Sequence, residues 1–320
     1  MKRTFLILIG LIIAISSYSK QGEKVPATIQ KKVASLRPTE YDEHKWTEYI
    51  PGNMPLVISV PHGGSLIVEE LGLNTCPGHN SHYDFGTIEI AKAIQQEFEE
   101  KYKLRPYIVI CHLSRKHIDQ NRDLETATCG KETMKTAWNN FHGFINVALK
   151  DAVKNFGKAI YIDLHGHPHT KQRVELGYSI SKKDLIAVQT KNIPGNLEQK
   201  SSLRNFFTNN WNKNIGISDL LIGNNAFGSL LVNNGIPTVP SAQDNAPLNN
   251  EAYFAAETVY NTPNYTSVKY PNVIGWQVEC SIDQRKSNSH AKLAKAFTSS
   301  MMTFIEKNTK IKIKNSKNKL

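Results

Sequence analysis

The stretch Leu56-Val-Ile-Ser-Val60, halted by Pro61 and followed by His62-Gly63-Gly64, decides how the rest of the chain is read. A short β-rich run ending in a breaker and two glycines reads as a buried strand with a loop at its carboxyl end. Two more such runs follow, Tyr107-Ile-Val-Ile-Cys-His-Leu113 and Ala159-Ile-Tyr-Ile-Asp-Leu164, and a fourth covers Val273 to Ile282. Between them lie helical patterns. One runs from Asp84 to about Lys103 with apolar Ile88, Ala91, Ile94 and Phe98. Another covers about Lys131 to Phe156 with Trp138, Phe141, Ile145, Leu149 and Val153 on one face, and a last helix spans about His290 to Lys307. Strands separated by helices predict an α/β fold, a mostly parallel sheet covered on both faces.

The chain has 320 residues, 40% hydrophobic and 21% charged, which suits one large domain and excludes a polytopic membrane protein or a mostly disordered chain. Its formal charge is +11, but much of the Lys lies at the two ends, so nucleic acid is not an expected partner. Lys2 and Arg3 precede an uncharged run from Phe5 to Ile15, and Ser17-Tyr18-Ser19 supplies small residues where a signal peptidase reads. Residues 1–19 are therefore expected to be a secretory signal, with an uncleaved anchor as the alternative, and export to the periplasm or the extracellular space. Residues 20–54 read as a polar extension with mixed helix and coil signals, and 307–320 as a basic, frayed tail. Cys111 and Cys280 fall in strand-like sequence as buried fillers, whereas Cys76 and Cys129 fall in loops and could pair.

The chemistry-bearing residues cluster after strands. His62 follows the first core strand and His165 the third, and ligands of α/β sheets gather beyond the carboxyl ends of strands. Two such histidines are natural metal ligands, although each alone reads equally well as a strand-capping residue. A zinc site of this kind wants a carboxylate and an open position for water. Asp84, at the start of the following helix, is the candidate, its plain alternative being a helix N-cap. His79 and His82 are rivals from the same loop, and His167 and His169 are rivals of His165.

The segment Ser114-Arg-Lys-His-Ile-Asp-Gln-Asn-Arg-Asp123 follows the second strand. Arg115 and Arg122 suit a substrate carboxylate, and Asp119 could orient His62 through its other ring nitrogen. The bland reading is a solvated charged loop. Glu279 lies within an apolar strand, where an acid needs a partner such as Arg285 or a cavity to face. Beside a metal-bound water it would be the general base.

Ser59-Val-Pro-His-Gly-Gly64, Ser114-Arg115 with Ile118-Asp-Gln-Asn-Arg-Asp123, Asp163-Leu-His165 and Gln277-Val-Glu279 together resemble the ordered motifs of the N-formylglutamate amidohydrolase family, over roughly residues 55 to 290. That family is related to zinc carboxypeptidases, and the Asp-x-Asn-Arg element is similar to theirs. The resemblance implies a single three-layer α/β/α catalytic domain over 55–306 with a mixed, mostly parallel sheet. It also implies one Zn2+ held by His62, Asp84 and His165, with Asp119 behind them. Asn121 and Arg122 would grip the substrate carboxylate, Arg115 would polarise the scissile carbonyl and Glu279 would be the base. The chain departs from the carboxypeptidase pattern at Ser65, where a Glu ligand would stand, and Asp84 is chosen because a longer loop precedes the same helix. The export signal is a second departure, because N-formylglutamate turnover belongs to cytoplasmic histidine breakdown. The expected activity is hydrolysis of an amide in a small acidic substrate, an N-acyl amino acid or a peptide. A carboxypeptidase acting on peptides and a non-catalytic binding protein are the competing readings. A serine hydrolase is disfavoured because no G-x-S-x-G elbow occurs, and neither a P-loop nor a dinucleotide fingerprint is present.

Overall fold

The computed structural model describes residues 36–313; the expected signal segment, residues 20–35 and the last seven residues lie outside the described residues. Eight strands form one sheet: β1 (Glu40–Tyr41), β2 (Thr47–Ile50), β3 (Leu56–Val60), β4 (Tyr107–Cys111), β5 (Ala159–Gly166), β6 (Val174–Gly177), β7 (Thr238–Val239) and β8 (Val273–Cys280). Their order is β1-β2-β4-β3-β5-β8-β6-β7. The central pairings β4–β3, β3–β5 and β5–β8 are parallel, and so is β6–β7, while β1–β2, β2–β4 and β8–β6 are antiparallel. The sheet is thus mixed and mostly parallel, flanked by helices on both faces.

Alternation along the strands divides the interior in two. Ile58, Val60, Ile160, Ile162, Leu164, Trp276 and Val278 face helix α1 (Thr87–Tyr102) through Ile90, Ile94 and Phe98, and helix α3 (Ser287–Asn308) through Phe297, Met301 and Phe304. Val57, Val109, Ala159, Tyr161 and Val273 face helix α2 (Glu132–Phe156) through Phe141, Ile145 and Leu149. The connection leaving β3 runs through α1 on one face, and the connection entering β5 runs through α2 on the other. The carboxyl ends of β3 and β5 are therefore the point where the connections diverge to opposite faces, the usual ligand position in such sheets.

Several elements differ from the sequence reading. Thr47–Ile50, in the stretch read as helix and coil, is a fully buried strand on β4. The short strands β6 and β7 have no pattern long enough to announce them. α1 begins at Thr87, not at Asp84. The turn before it needs Gly86 at φ 81°, where a Cβ would stand 2.3 Å from the Arg285 carbonyl oxygen. β5 extends two residues past Leu164, so His165 lies within the strand. The segment after Glu306 is helical to Asn308, and Ile311 packs into the core. Cys76 and Cys129 form a disulfide with Cα atoms 5.6 Å apart, and Cys111 and Cys280 are free and buried. No helix among the described residues is long and apolar enough to cross a membrane.

Candidate metal centre

His62 stands just past β3, His165 within β5, and Asp84 in the turn before α1; all three are buried. Asp84 is drawn to this place by its own backbone, whose N–H donates to the His62 carbonyl at 3.1 Å. It does not cap α1. Its carboxylate instead accepts from Gly166 N–H at 3.2 Å and faces the two imidazoles.

Each imidazole is aimed by a carboxylate. His62 Nε2 lies 2.7 Å from Asp119 Oδ1, and His165 Nε2 lies 2.8 Å from Asp163 Oδ2. A carboxylate accepts only, so each Nε2 carries the proton and each Nδ1 presents its lone pair. The two Nδ1 atoms are 3.2 Å apart, and Asp84 Oδ2 lies 3.3 Å from His165 Nδ1 and 3.6 Å from His62 Nδ1. Three acceptors therefore converge with no donor among them unless a cation sits between. A tetrahedral ion with bonds of about 2.0–2.1 Å to N and O donors places its ligands about 3.3 Å apart. The triangle fits a metal.

The electrostatics agree. Burial opposes ionisation of Asp84, but hydrogen bonds with His165 and His62 outweigh it and hold its carboxyl far below the ordinary range. Burial likewise opposes charge on Asp119, where His62 and Arg115 win, and on Asp163, where His165 wins. For His165, burial disfavours the imidazolium, yet Asp163 and Asp84 hold its pKa well above the usual value. The centre is built for a positive charge, a proton or a metal ion.

The supports are themselves pinned. Asp119 Oδ2 accepts from Arg115 Nη2 at 2.7 Å, and Oδ1 also accepts from Asn121 N–H at 3.0 Å. Asp163 Oδ1 accepts from Ser59 Oγ at 2.6 Å and Asn261 Nδ2 at 3.2 Å, with Tyr161 OH at 3.3 Å. Ser59, Asp163 and Asn261 are fully buried. Asp163 has a role that its motif alone does not announce; its position two before His165 on one strand, hence on the same face, is the signal that points to it.

The remaining candidates divide. Arg115 Nε is buried without a partner, so this guanidinium keeps a donor beyond its pair with Asp119. Asn121 spends its carbonyl oxygen on the backbone N–H groups of Tyr260 and Asn261, and thereby holds the loop before the short helix Asn261–Tyr265. Arg122 is 38% exposed and donates to Thr258 O at 2.8 Å. Glu279 projects from β8 beside His165, its register partner on β5. Gln277 Nε2 donates to its Oε1, while Oε2 is buried and unpartnered. Burial pushes this carboxyl up, to about 8. Arg285, the suggested ion-pair partner, instead donates to Phe85 O and His167 O and lies over the Phe85 ring. His82 hydrogen-bonds Asn80, and His79 Nε2 is buried without a partner. His167 and His169 form a separate group with Glu175.

No family model and no curated protein matches the sequence. Similar solved structures include N-formylglutamate amidohydrolase from Ralstonia eutropha JMP134, at 12% identity and a TM-score of 0.45, covering 82% of this chain and 97% of that one. A gene product of Agrobacterium tumefaciens is similar at 10% identity and a TM-score of 0.43, covering 80% and 92%. Succinylglutamate desuccinylase from Chromobacterium violaceum is similar at 8% identity and a TM-score of 0.37, covering 89% and 76%.

Proposed function

We propose that this chain is an exported, zinc-dependent amidohydrolase that cleaves an amide bond in a carboxylate-bearing substrate, an N-formyl or N-acyl amino acid such as N-formylglutamate or a small peptide. The observation that carries the reading is the triangle of acceptor atoms from His62, Asp84 and His165, with both imidazoles fixed from behind by carboxylates. Zinc bound there would supply a Lewis acid and a water that ionises near neutral pH.

The chain's own residues do the rest. Glu279 Oε2, buried and unpartnered one strand from His165, takes the proton of the attacking water. Burial raises this carboxyl, and a dication held by His62, Asp84 and His165 would favour the carboxylate form that a base requires. Arg115, with a free Nε, holds the carbonyl oxygen as charge develops on it. Arg122, half exposed and tethered by Thr258, is the available fork for a substrate carboxylate; Asn121 supports it by fixing the facing loop. Export rests on the segment from Lys2 to Ser19, and the Cys76–Cys129 disulfide suits an oxidising compartment.

Metal analysis of the purified protein should find about one zinc per chain, the occupancy of a mononuclear site. His62→Ala and His165→Ala should each lose it. Free N-acyl amino acids should be hydrolysed in preference to their α-amides. Full metal content in both variants would remove the proposal, as would a purified zinc protein that cleaves neither N-acyl amino acids nor short peptides.

A further inference from the structure

The device that aims His62 and His165 occurs a third time, further across the sheet. β5, β8 and β6 place His165, Glu279 and Glu175 in register, side by side on one face, with about 4.8 Å between neighbouring strands. Glu175 is fully buried. Its two oxygens lie 3.1 and 3.2 Å from His169 Nδ1, and Oε2 also accepts from Phe254 N–H at 2.9 Å. The carboxylate fixes the Nδ1–H form of His169. Phe254 stacks on the imidazole with ring centroids 4.7 Å apart, so the ring is held in place.

The free nitrogen has no structural employment. His169 Nε2 makes no hydrogen bond among the described residues, and the side chain is 16% exposed. Nor is this group a second metal centre in the observed arrangement. His167 Nδ1 accepts from His169 N–H at 3.2 Å and its Nε2 donates to Arg173 O at 2.8 Å, so it has no lone pair to offer. An oriented imidazole with one open nitrogen, held by the strand that adjoins the proposed base, has the geometry that an acid–base group requires.

We propose that His169, oriented by Glu175, protonates the departing nitrogen, while Glu279 only accepts the proton of the attacking water. This rests on the hydrolase reading above. In the step, the water oxygen bonds to the acyl carbon and one water proton passes to Glu279. The C–N bond breaks with its electron pair on nitrogen, which takes the Nε2 proton of the His169 imidazolium. The products are the acid and the amine, and Glu279 and His169 then recover their starting states by proton exchange with solvent.

The test uses the zinc-loaded protein and compares two leaving groups. The amide is whichever of N-formyl-, N-acetyl- or N-succinyl-L-glutamate the wild type turns over fastest; its counterpart is the ester with oxygen in place of the scissile nitrogen. An alkoxide departs with far less help from an acid than an amide nitrogen does. His169→Gln should lower kcat on the amide by ~10²-fold, the lower end for loss of an acid–base group. KM and zinc content should not change, and ester turnover should fall by less than ~10-fold. Glu175→Gln should give a smaller loss with the same bias. Nitrogen-15 NMR of the imidazoles should show His169 protonated at Nδ1 in the wild type, and this signature should disappear in Glu175→Gln. Equal losses on amide and ester, unchanged amide turnover, or a neutral His169 protonated at Nε2 would each overturn the proposal and leave the hydrolase reading standing. A zinc-loaded wild type that cleaves no amide would overturn both.

Discussion

The two faces of β5, β8 and β6 make the instructive contrast in this molecule. On one face Ile162, Leu164, Trp276, Val278 and Leu176 are dry and packed against α1, α3 and the short helix Phe227–Asn233. On the other, the interleaved residues are Asp163, His165, Gln277, Glu279 and Glu175, all between 0% and 4% exposed. The same strands are equally buried on both sides. What differs is how burial is compensated. The apolar face gains from removing surface from water, at roughly 25 cal/mol per Å². The polar face loses the hydration of several charges, and only paired carboxylates, hydroxyls and imidazoles make that tolerable. Stability and the proposed chemistry therefore fall to opposite faces of one sheet, and substitutions can test whether they separate.

The sharpest separation is expected at Glu279. Glu279→Gln preserves shape and the metal-facing triangle, so zinc content and Tm should stay near wild type while kcat falls by ~10²–10⁴-fold. Zinc analysis, thermal melts and kcat on one preparation decide this, and an active but destabilised variant would move the base elsewhere. Trp276, one strand position class away, should behave in the opposite sense. It is fully buried with its ring 5.2 Å from those of Phe227 and Phe304, and Trp276→Ala should cost about 3–5 kcal/mol of stability in urea melts. Zinc bound per folded molecule should be unchanged; loss of the metal at low temperature, where the variant remains folded, would show that the faces are not independent.

Asp163→Asn tests the polar face at one remove from the metal. The amide is isosteric, but its oxygen no longer anchors His165 Nε2–H with a full charge. Zinc affinity by competition with a chromophoric chelator should fall by about 10–100-fold, the usual cost of losing such a support. An unchanged affinity would mean that His165 is oriented by β5 packing alone. A pH-dependent effect is expected at His142, an imidazole on this side of the sheet whose hydrogen-bond partner is a tyrosine hydroxyl and not a carboxylate. Its Nδ1 lies 2.6 Å from Tyr265 OH, and burial pushes its pKa down to about 3. The unfolded chain, titrating near the ordinary 6.5, binds a proton that the native state refuses between those values. The stabilisation is thus complete above about pH 6.5 and is lost as pH falls toward 3, by about 1.4 kcal/mol per pH unit within the window. His142→Asn should give a shallower fall of Tm between pH 6.5 and 4 than the wild type; parallel curves would assign the acid loss to the carboxylates instead.

Much of the fold was legible because its central strands are long enough to show themselves. Leu56–Val60 and Tyr107–Cys111 are continuous apolar runs bounded by breakers, and α2 keeps one apolar face over 25 residues. The edges were not legible. β6, with Glu175, is only four residues long, too short for periodicity to announce it, and Thr47–Ile50 looks polar until β4 is placed beside it. Asp84 could be chosen from sequence as a ligand, but not its geometry: the turn through Gly86 starts α1 three residues later and frees the carboxylate from capping. Asn121 and Arg122 were legible as chemistry-bearing types, yet their engagement with Tyr260, Asn261 and Thr258 depends on a loop more than 130 residues away in the chain.

By itself the sequence determined which residue types could hold charge and where apolar runs demanded strands, since hydrophobic periodicity is a local property of the chain. It thereby placed His62 and His165 at the ends of core strands. Only the tertiary structure decided which nitrogen each imidazole presents, because the tautomer depends on carboxylates from elsewhere: Asp119 for His62, after a different strand, and Asp163 for His165, held by Ser59 and Asn261. Strand register decided that Glu279 and Glu175 stand in line with His165, and a shift of one residue in either strand would have turned them to the apolar face.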